Sequence, residues 1–137
     1  MASVDHARTF LERYGPSGYQ SAEGDRAWGA FEGSGPLVGV GILGARRGCR
    51  GRVWIAVAPE RRRLGVGSEL LGSIVTEAQE EGLGYLTWCH RASEVAPDRL
   101  ARSLGLLIGR RVVSGMVETV AVLARNEEAS NERADNR

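Results

Sequence analysis

The sequence predicts one domain with an α/β fold on a mixed sheet, and three observations carry that reading. Between residues 27 and 58, three short strand-like runs follow one another across turns brief enough to make an antiparallel meander. At Val66 the hydrophobic pattern changes to the period of a helix. A strand, a proline-led helix and a final pair of strands then complete the α/β order.

Each element has its own signal. Val4, Ala7, Phe10, Leu11 and Tyr14 recur at helical spacing, and Gly15-Pro16 stops that helix. A polar loop runs to Asp25. "AWGAFE" (Ala27 to Glu32) alternates weakly, "GSGP" turns the chain, and "LVGVGILGA" (Leu37 to Ala45) reads as a second strand. "RRGCRG" reads as a basic turn before the third strand, "RVWIAVA" (Arg52 to Ala58). From Val66, Leu70, Leu71, Ile74, Val75 and Ala78 share one helical face, while Glu69, Glu77, Glu80 and Glu81 face water; Gly82 and Gly84 end the helix. "YLTWCH" (Tyr85 to His90) is a strand, and Pro97 suits the first turn of a helix reaching about Leu104. "LLIGRRVV" and "MVETVAVLA" form the closing strand pair around Ser114-Gly115, and Asn126 to Arg137 reads as a polar, disordered tail.

Composition narrows the function classes. With 42% hydrophobic and 26% charged residues and a net charge of +1, the chain has no global pull toward nucleic acid or membrane. Every basic side chain is Arg, so no lysine ε-amine is offered as a nucleophile or self-modification site. Cys49 and Cys89 lie far apart without a CxxC or a histidine cluster, which points away from a disulfide framework and from a metal site. No apolar run approaches a membrane span, and the N-terminus lacks a signal-peptide core, so the expectation is a reduced, cytoplasmic protein.

Two glycine clusters compete for attention. "GVGILG" satisfies GxGxxG with Gly39, Gly41 and Gly44, but a turn and another strand follow instead of the helix that a dinucleotide pyrophosphate needs. Small residues allowing close packing within a sheet explain it better. Gly65-Val66-Gly67 lies between a strand and a helix, where amides and the helix dipole favour an anion. Leu70 occupies the place of a dinucleotide fold's third glycine, and the Walker lysine is missing. What remains is Arg62-x-x-Gly65-x-Gly67, in which Arg62 or Arg63 can add charge-assisted contacts to a phosphate. Read alone, the same pattern also fits a solvated arginine patch beside a glycine turn.

"VAPERRRLGVGSELL" resembles the acyl-CoA loop of the GNAT acetyltransferase superfamily, and "LARSLGL" resembles that family's closing "LYEKLGF". The resemblance runs from about Trp28 to Arg125 and implies a mixed, mostly antiparallel central sheet splayed in the middle and flanked by helices. It implies a single GNAT-like domain over residues 1–125, with residues 126–137 as the tail. Val53–Val57 and Leu86–His90 would be the splayed strands. Backbone groups of Ile55 and Val57 would face the pantetheine arm of acetyl-CoA as a further strand. The amides of Arg62, Arg63, Leu64, Gly65, Val66, Gly67 and Ser68 would cradle the pyrophosphate, and an amide near Val57 would polarise the thioester carbonyl. The implied reaction is acetyl transfer to a primary amine, of a small molecule or a protein, by direct attack.

The resemblance also exposes departures. The tyrosine that often protonates the leaving thiolate falls at Ala101, and the asparagine often found after the second splayed strand falls at Glu94. The family's first strand has room for only a few residues, so the expectation is either that this edge strand is missing or that a partner supplies it, as in a homodimer. For the base, Glu60 and His90 lie near the ends of the splayed strands, although a solvated loop carboxylate and a surface histidine are the plainer readings of each. Glu94 could hold a cationic substrate. Cys89 and His90 point to opposite faces and form no dyad. Trp28, Trp54 and Trp88 read as sheet packing or the lining of an acceptor pocket, and Glu118 as facing either cleft or solvent. Nucleic-acid binding through Arg46, Arg47, Arg50, Arg52 and Arg61–Arg63 is disfavoured, because these are not interleaved with exposed-looking aromatics and the acidic tail and helix offset them. Two readings stay in view: an acetyl-CoA-dependent N-acetyltransferase, and a catalytically weak or inactive module of the same fold that binds coenzyme A or a protein.

Overall fold

A computed structural model describes residues 3–15, 19–62, 64–90 and 96–123. Pro16, Arg63, Glu94 and the tail from Asn126 therefore lie outside the described residues. The elements follow the expected order: α1 (Val4–Tyr14), β1 (Arg26–Phe31), β2 (Leu37–Arg47), β3 (Arg50–Val57), a 3-10 turn (Pro59–Arg61), α2 (Val66–Glu80), β4 (Tyr85–His90), α3 (Ala96–Ser103), β5 (Leu107–Val113) and β6 (Met116–Val122). The strands form one six-stranded sheet in the order β1-β2-β3-β4-β6-β5, and β3 with β4 is its parallel pair.

Helices cover the sheet unequally. On one face α1 buries Ala7, Phe10 and Leu11 against Val40, Ile42 and Ala56. Its start is fixed by Ser3, whose hydroxyl accepts the His6 amide, and its end by the Gly15 amide donating to the Leu11 carbonyl. On the other face α2 sets Leu71, Ile74 and Ala78 against Leu43, Val53 and Leu86, and Ala101 of α3 joins them. Trp28 and Ile55 pack against this second core, whereas Trp54 packs on the α1 side. No helix among the described residues is long and apolar enough to cross a membrane.

The glycines of "GVGILG" are packing devices. A Cβ on Gly39 would stand 2.8 Å from Val66 Cγ1, and one on Gly41 would stand 2.9 Å from Ile74 Cδ1. They let α2 lie directly on β2, which sets the height of its N-terminus above the sheet.

One boundary differs from the sequence reading. "RRGCRG" is mostly strand, with β2 running to Arg47 and β3 starting at Arg50, after a register shift between Gly44 and Arg47. Tertiary anchoring explains it: Arg46 donates to both carboxylate oxygens of Glu81 at 2.9 and 3.0 Å and to the Gly24 carbonyl at 2.7 Å. A residue so held is fixed in place, and local turn propensity is overridden.

Gly41→Val is expected to force Ile74 from its packed position. Overpacking of this kind destabilises by about 1–3 kcal/mol and should lower Tm by roughly 3–12 °C. A calorimetric scan showing no change would mean that α2 rides higher than described.

Candidate functional site

Strands β3 and β4 pair only through Arg50↔Tyr85, Gly51↔Leu86 and Arg52↔Thr87. Beyond that vertex they diverge, so Val53–Val57 keeps β2 on one side and no strand on the other. The Ala58 amide donates to the Val38 carbonyl of β2 at 2.8 Å. By strand alternation Ala56 also addresses β2, and the N–H and C=O groups of Val53, Ile55 and Val57 address the gap. The expected splay is present, and the outward backbone groups of Ile55 and Val57 face the gap.

A cleft of about 770 Å³ fills the gap, a size suited to a large cofactor-like ligand. At its open end the chain passes through the Pro59–Arg61 turn to Gly65, which caps α2 at φ 85° and ψ 0° without any side-chain bond to the helix. A left-handed residue there aims the first amides of α2 outward, and the cap residue gives them no side-chain bond, the arrangement that receives an anion. Gly65, Gly67 and Ser68 line the cleft, as do Arg61 and Arg62. An added Cβ on Gly67 would meet Leu100 Cδ2 at 3.0 Å, so this glycine lets α3 close over the loop. Arg62 donates from Nε to the Val57 carbonyl at 3.3 Å, which holds its guanidinium over the strand end, with the terminal amino groups left for an oxyanion. Arg61 instead pairs with Glu32. Ser68 and Ser103 hydroxyls meet at 3.2 Å, tying α2 to α3. Leu64 is exposed at the rim.

The two base candidates separate clearly. Glu60 is exposed on the 3-10 turn and is not among the residues that line the cleft. His90 lines it and is buried. Its Nε2 lies 2.7 Å from Thr119 Oγ1, and that hydroxyl donates to Asp98 Oδ1 at 2.7 Å. A hydroxyl has one proton, and a carboxylate only accepts. Thr119 therefore receives its other bond from His90 Nε2–H. Asp98 completes the chain through an ion pair to Arg110 at 3.4 Å. Thr119 and Asp98 escaped the sequence reading. The signal was available in "MVETVAV", where a polar residue occupies an inward position between Val117 and Ala121.

Other candidates fall into place. Trp88 and Trp54 both line the cleft, from opposite faces of the sheet, while Trp28 does not line it. Trp88 is buried near the vertex, and its buried indole N–H has no partner among the described residues. Ala101 is buried in the core, while Leu100 and Ser103 present the cleft-lining face of α3. Glu118 pairs with Arg111 at 2.8 Å, and its other oxygen lies 4.0 Å from Cys89 Sγ. Tyr19 lies edge-on to Trp54, and burial and its bond to Asp25 hold its phenol well above the ordinary range.

The sequence pattern of the acetyltransferase (GNAT) family matches residues 3–106. The ribosomal-protein-S18-alanine N-acetyltransferase of Escherichia coli superposes with a TM-score of 0.67 at 19% identity, over 92% of each chain. An IAA acetyltransferase of Bacillus cereus gives 0.60 at 21% identity, over 88% of this chain and 85% of that one. A phosphinothricin acetyltransferase of Sinorhizobium meliloti, solved in complex with acetyl-CoA, gives 0.62 at 20% identity over 74% and 62%. These likenesses establish the fold. No curated protein matches the chain by sequence.

Thr119→Val keeps the shape of the side chain but leaves the His90 N–H and Asp98 without their shared partner. The expected loss is about 1–3 kcal/mol, seen as a lower denaturation midpoint, while Thr119→Ser should stay near the parent. Equal midpoints for the two variants would mean that the hydroxyl is idle.

Proposed function

This chain belongs to the acetyltransferase (GNAT) family, and on that premise we propose that it is an acetyl-CoA-dependent N-acetyltransferase acting on a primary amine by direct attack. The observation that carries the proposal is continuity: an unpaired backbone edge, Val53 to Val57, leads straight into an uncapped helix N-terminus flanked by arginine. A molecule with a strand-like amide chain ending in a pyrophosphate matches that sequence of groups, and acetyl-CoA is such a molecule.

In this reading the amides of Gly65 to Ser68 and the Arg62 guanidinium hold the pyrophosphate. The outward groups of Ile55 and Val57 pair with the pantetheine amides. The amine nitrogen attacks the thioester carbonyl, a C–N bond forms, the C–S bond breaks, and the sulfur leaves as thiolate. An outward amide of this edge near Val57 that the pantetheine does not engage stabilises the negative charge that builds on the carbonyl oxygen. His90, buried on the cleft, is the base for the proton that the amine sheds, and the Thr119–Asp98 pair steadies the imidazolium that results. Holding both reactants in one cleft supplies the entropic part of the acceleration. Ala101 takes no part in proton transfer.

The second reading, a coenzyme-binding module without turnover, is favoured by the same buried Ala101. Saturating acetyl-CoA at about 100 times its Kd should raise stability by roughly 2.7 kcal/mol, and Arg62→Glu should remove that gain. Thiol release should then require an amine and fall about 100-fold or more in His90→Ala. Stabilisation without release on any amine would leave the module. Absence of both effects would refute acetyl-CoA as the ligand.

A further inference from the structure

The coenzyme assigned above carries two separate anions, its pyrophosphate and a phosphate on the 3′-oxygen of its ribose. The Gly65–Ser68 loop accounts for the first. Among the described residues no Asp or Glu lines the cleft, whereas Arg61, Arg62 and Arg99 bring three guanidiniums to it. Arg61 is paired with Glu32. Arg62 is tethered through Nε to the Val57 carbonyl, at the strand end beside the loop. Arg99 comes from α3, on the opposite bank, and enters no ion pair or side-chain hydrogen bond among the described residues. It is a cation on the wall of an anion-accepting cleft with no carboxylate to answer it.

The packing of α3 says where that cation comes from. β3 and β4 are parallel, and α2 and α3 each follow one of them and pack on the same face, so the two helices run in the same sense. A Cβ on Gly67 would meet Leu100 Cδ2 at 3.0 Å, and the Ser68 and Ser103 hydroxyls meet at 3.2 Å, which sets Leu100 level with the second residue of α2. Residues 96–98 therefore reach past the start of α2 by roughly 4–5 Å, at about 1.5 Å per residue. Side chains on a helix lean toward its N-terminus, so Arg99 enters the cleft from the outer side of the first amides of α2. Its neighbour Asp98 is turned away, to Thr119 and Arg110. A pyrophosphate resting on those amides continues outward into the ribose, and the 3′-phosphate hangs from that ribose.

We propose that Arg99 recognises the 3′-phosphate and makes this chain selective for coenzyme A over dephospho-coenzyme A. Arg62 and the loop amides take the pyrophosphate, which both molecules carry, and Arg99 takes the group that one of them lacks. The planar fork of a guanidinium matches two oxygens of a phosphate. Arg99 is exposed, so salt screens the contact. This rests on the acetyl-CoA reading, and it is measured by binding alone, without turnover.

Calorimetric titration of coenzyme A and of dephospho-coenzyme A at low ionic strength tests it. The parent should bind coenzyme A about 10-fold more tightly, the low end of the range for a charge-assisted bond because the arginine is exposed. Arg99→Gln should bring the ratio close to 1 by weakening coenzyme A alone, and Arg99→Glu should turn it below 1. Neither change should lower the Tm of the free protein, since no other side chain depends on Arg99. Arg102→Gln is the control: it removes the same charge from the same helix at an exposed residue that does not line the cleft, and the ratio should persist. Arg62→Gln should weaken both ligands alike. The proposal is overturned by a parent ratio near 1, by a ratio that survives Arg99→Gln, or by equal effects of the Arg99 and Arg102 changes. Equal weakening of both ligands by Arg99→Gln overturns it too, because Arg99 would then serve the pyrophosphate. Any of these results, with both ligands still bound by the parent, leaves the acetyl-CoA reading in place. Binding of neither ligand refutes that reading and the proposal with it.

Discussion

Everything functional in this chain depends on two parallel strands that stop pairing. From Arg52↔Thr87 onward β3 and β4 give up their shared hydrogen bonds, and backbone groups left without partners in a protein interior are costly. The rest of the structure has to hold the strands apart, since a collapse of Val53–Val57 onto Trp88–His90 would satisfy those groups and erase the cleft. A ligand that supplies its own amides can satisfy one edge without closing it.

Separate braces keep the gap open. β3 is held from its far side by β2 along the full divergent stretch, Gly39↔Val57 to Leu43↔Val53. The pairing of Arg61 with Glu32 ties the loop beyond β3 to the end of β1. β4 is held from its own far side by β6, through Trp88↔Thr119 and His90↔Val117. Its tip is fastened again by the His90–Thr119–Asp98 chain, which joins β4, β6 and α3. The same bonds that orient the histidine thus also steady one wall of the site, so stability and imidazole geometry are coupled there. A variant that loosens the chain should therefore move both.

Much of this was legible in the sequence because it follows from period and punctuation. The change of period at Val66, Gly65 before it and Pro97 in the first turn of α3 locate the loop and helices without tertiary knowledge. The splay was legible only by resemblance, since nothing in "RVWIAVA" or "YLTWCH" says that the strands part. Three matters were hidden for physical reasons. Arg46 looked like turn material because its carboxylate partner, Glu81, lies far along the chain. Thr119 and Asp98 matter through contacts between distant elements, and local pattern could flag Thr119 only as a polar residue on an inward row. Glu60 looked close to the site along the chain, but the 3-10 turn exposes it to solvent.

Ala101 tests how much acid catalysis such a site requires. In the amine attack two protons need management: one leaves the nitrogen and one can join the sulfur. The two demands are unequal. An alkyl thiol has a pKa near 8.5, so its thiolate is a competent leaving group at neutral pH and needs a hydrogen bond more than a full proton. An amine that has become cationic on attack must lose its proton before the C–S bond breaks, or it is simply expelled again. A site with a placed base and no acid can therefore still turn over, and this one has His90 on the cleft and a buried alanine in α3. Proton donation to sulfur can come from solvent after bond cleavage. The functional weight in this cleft accordingly falls on His90 and the groups that fix its tautomer, and the alanine is a departure that the chemistry tolerates.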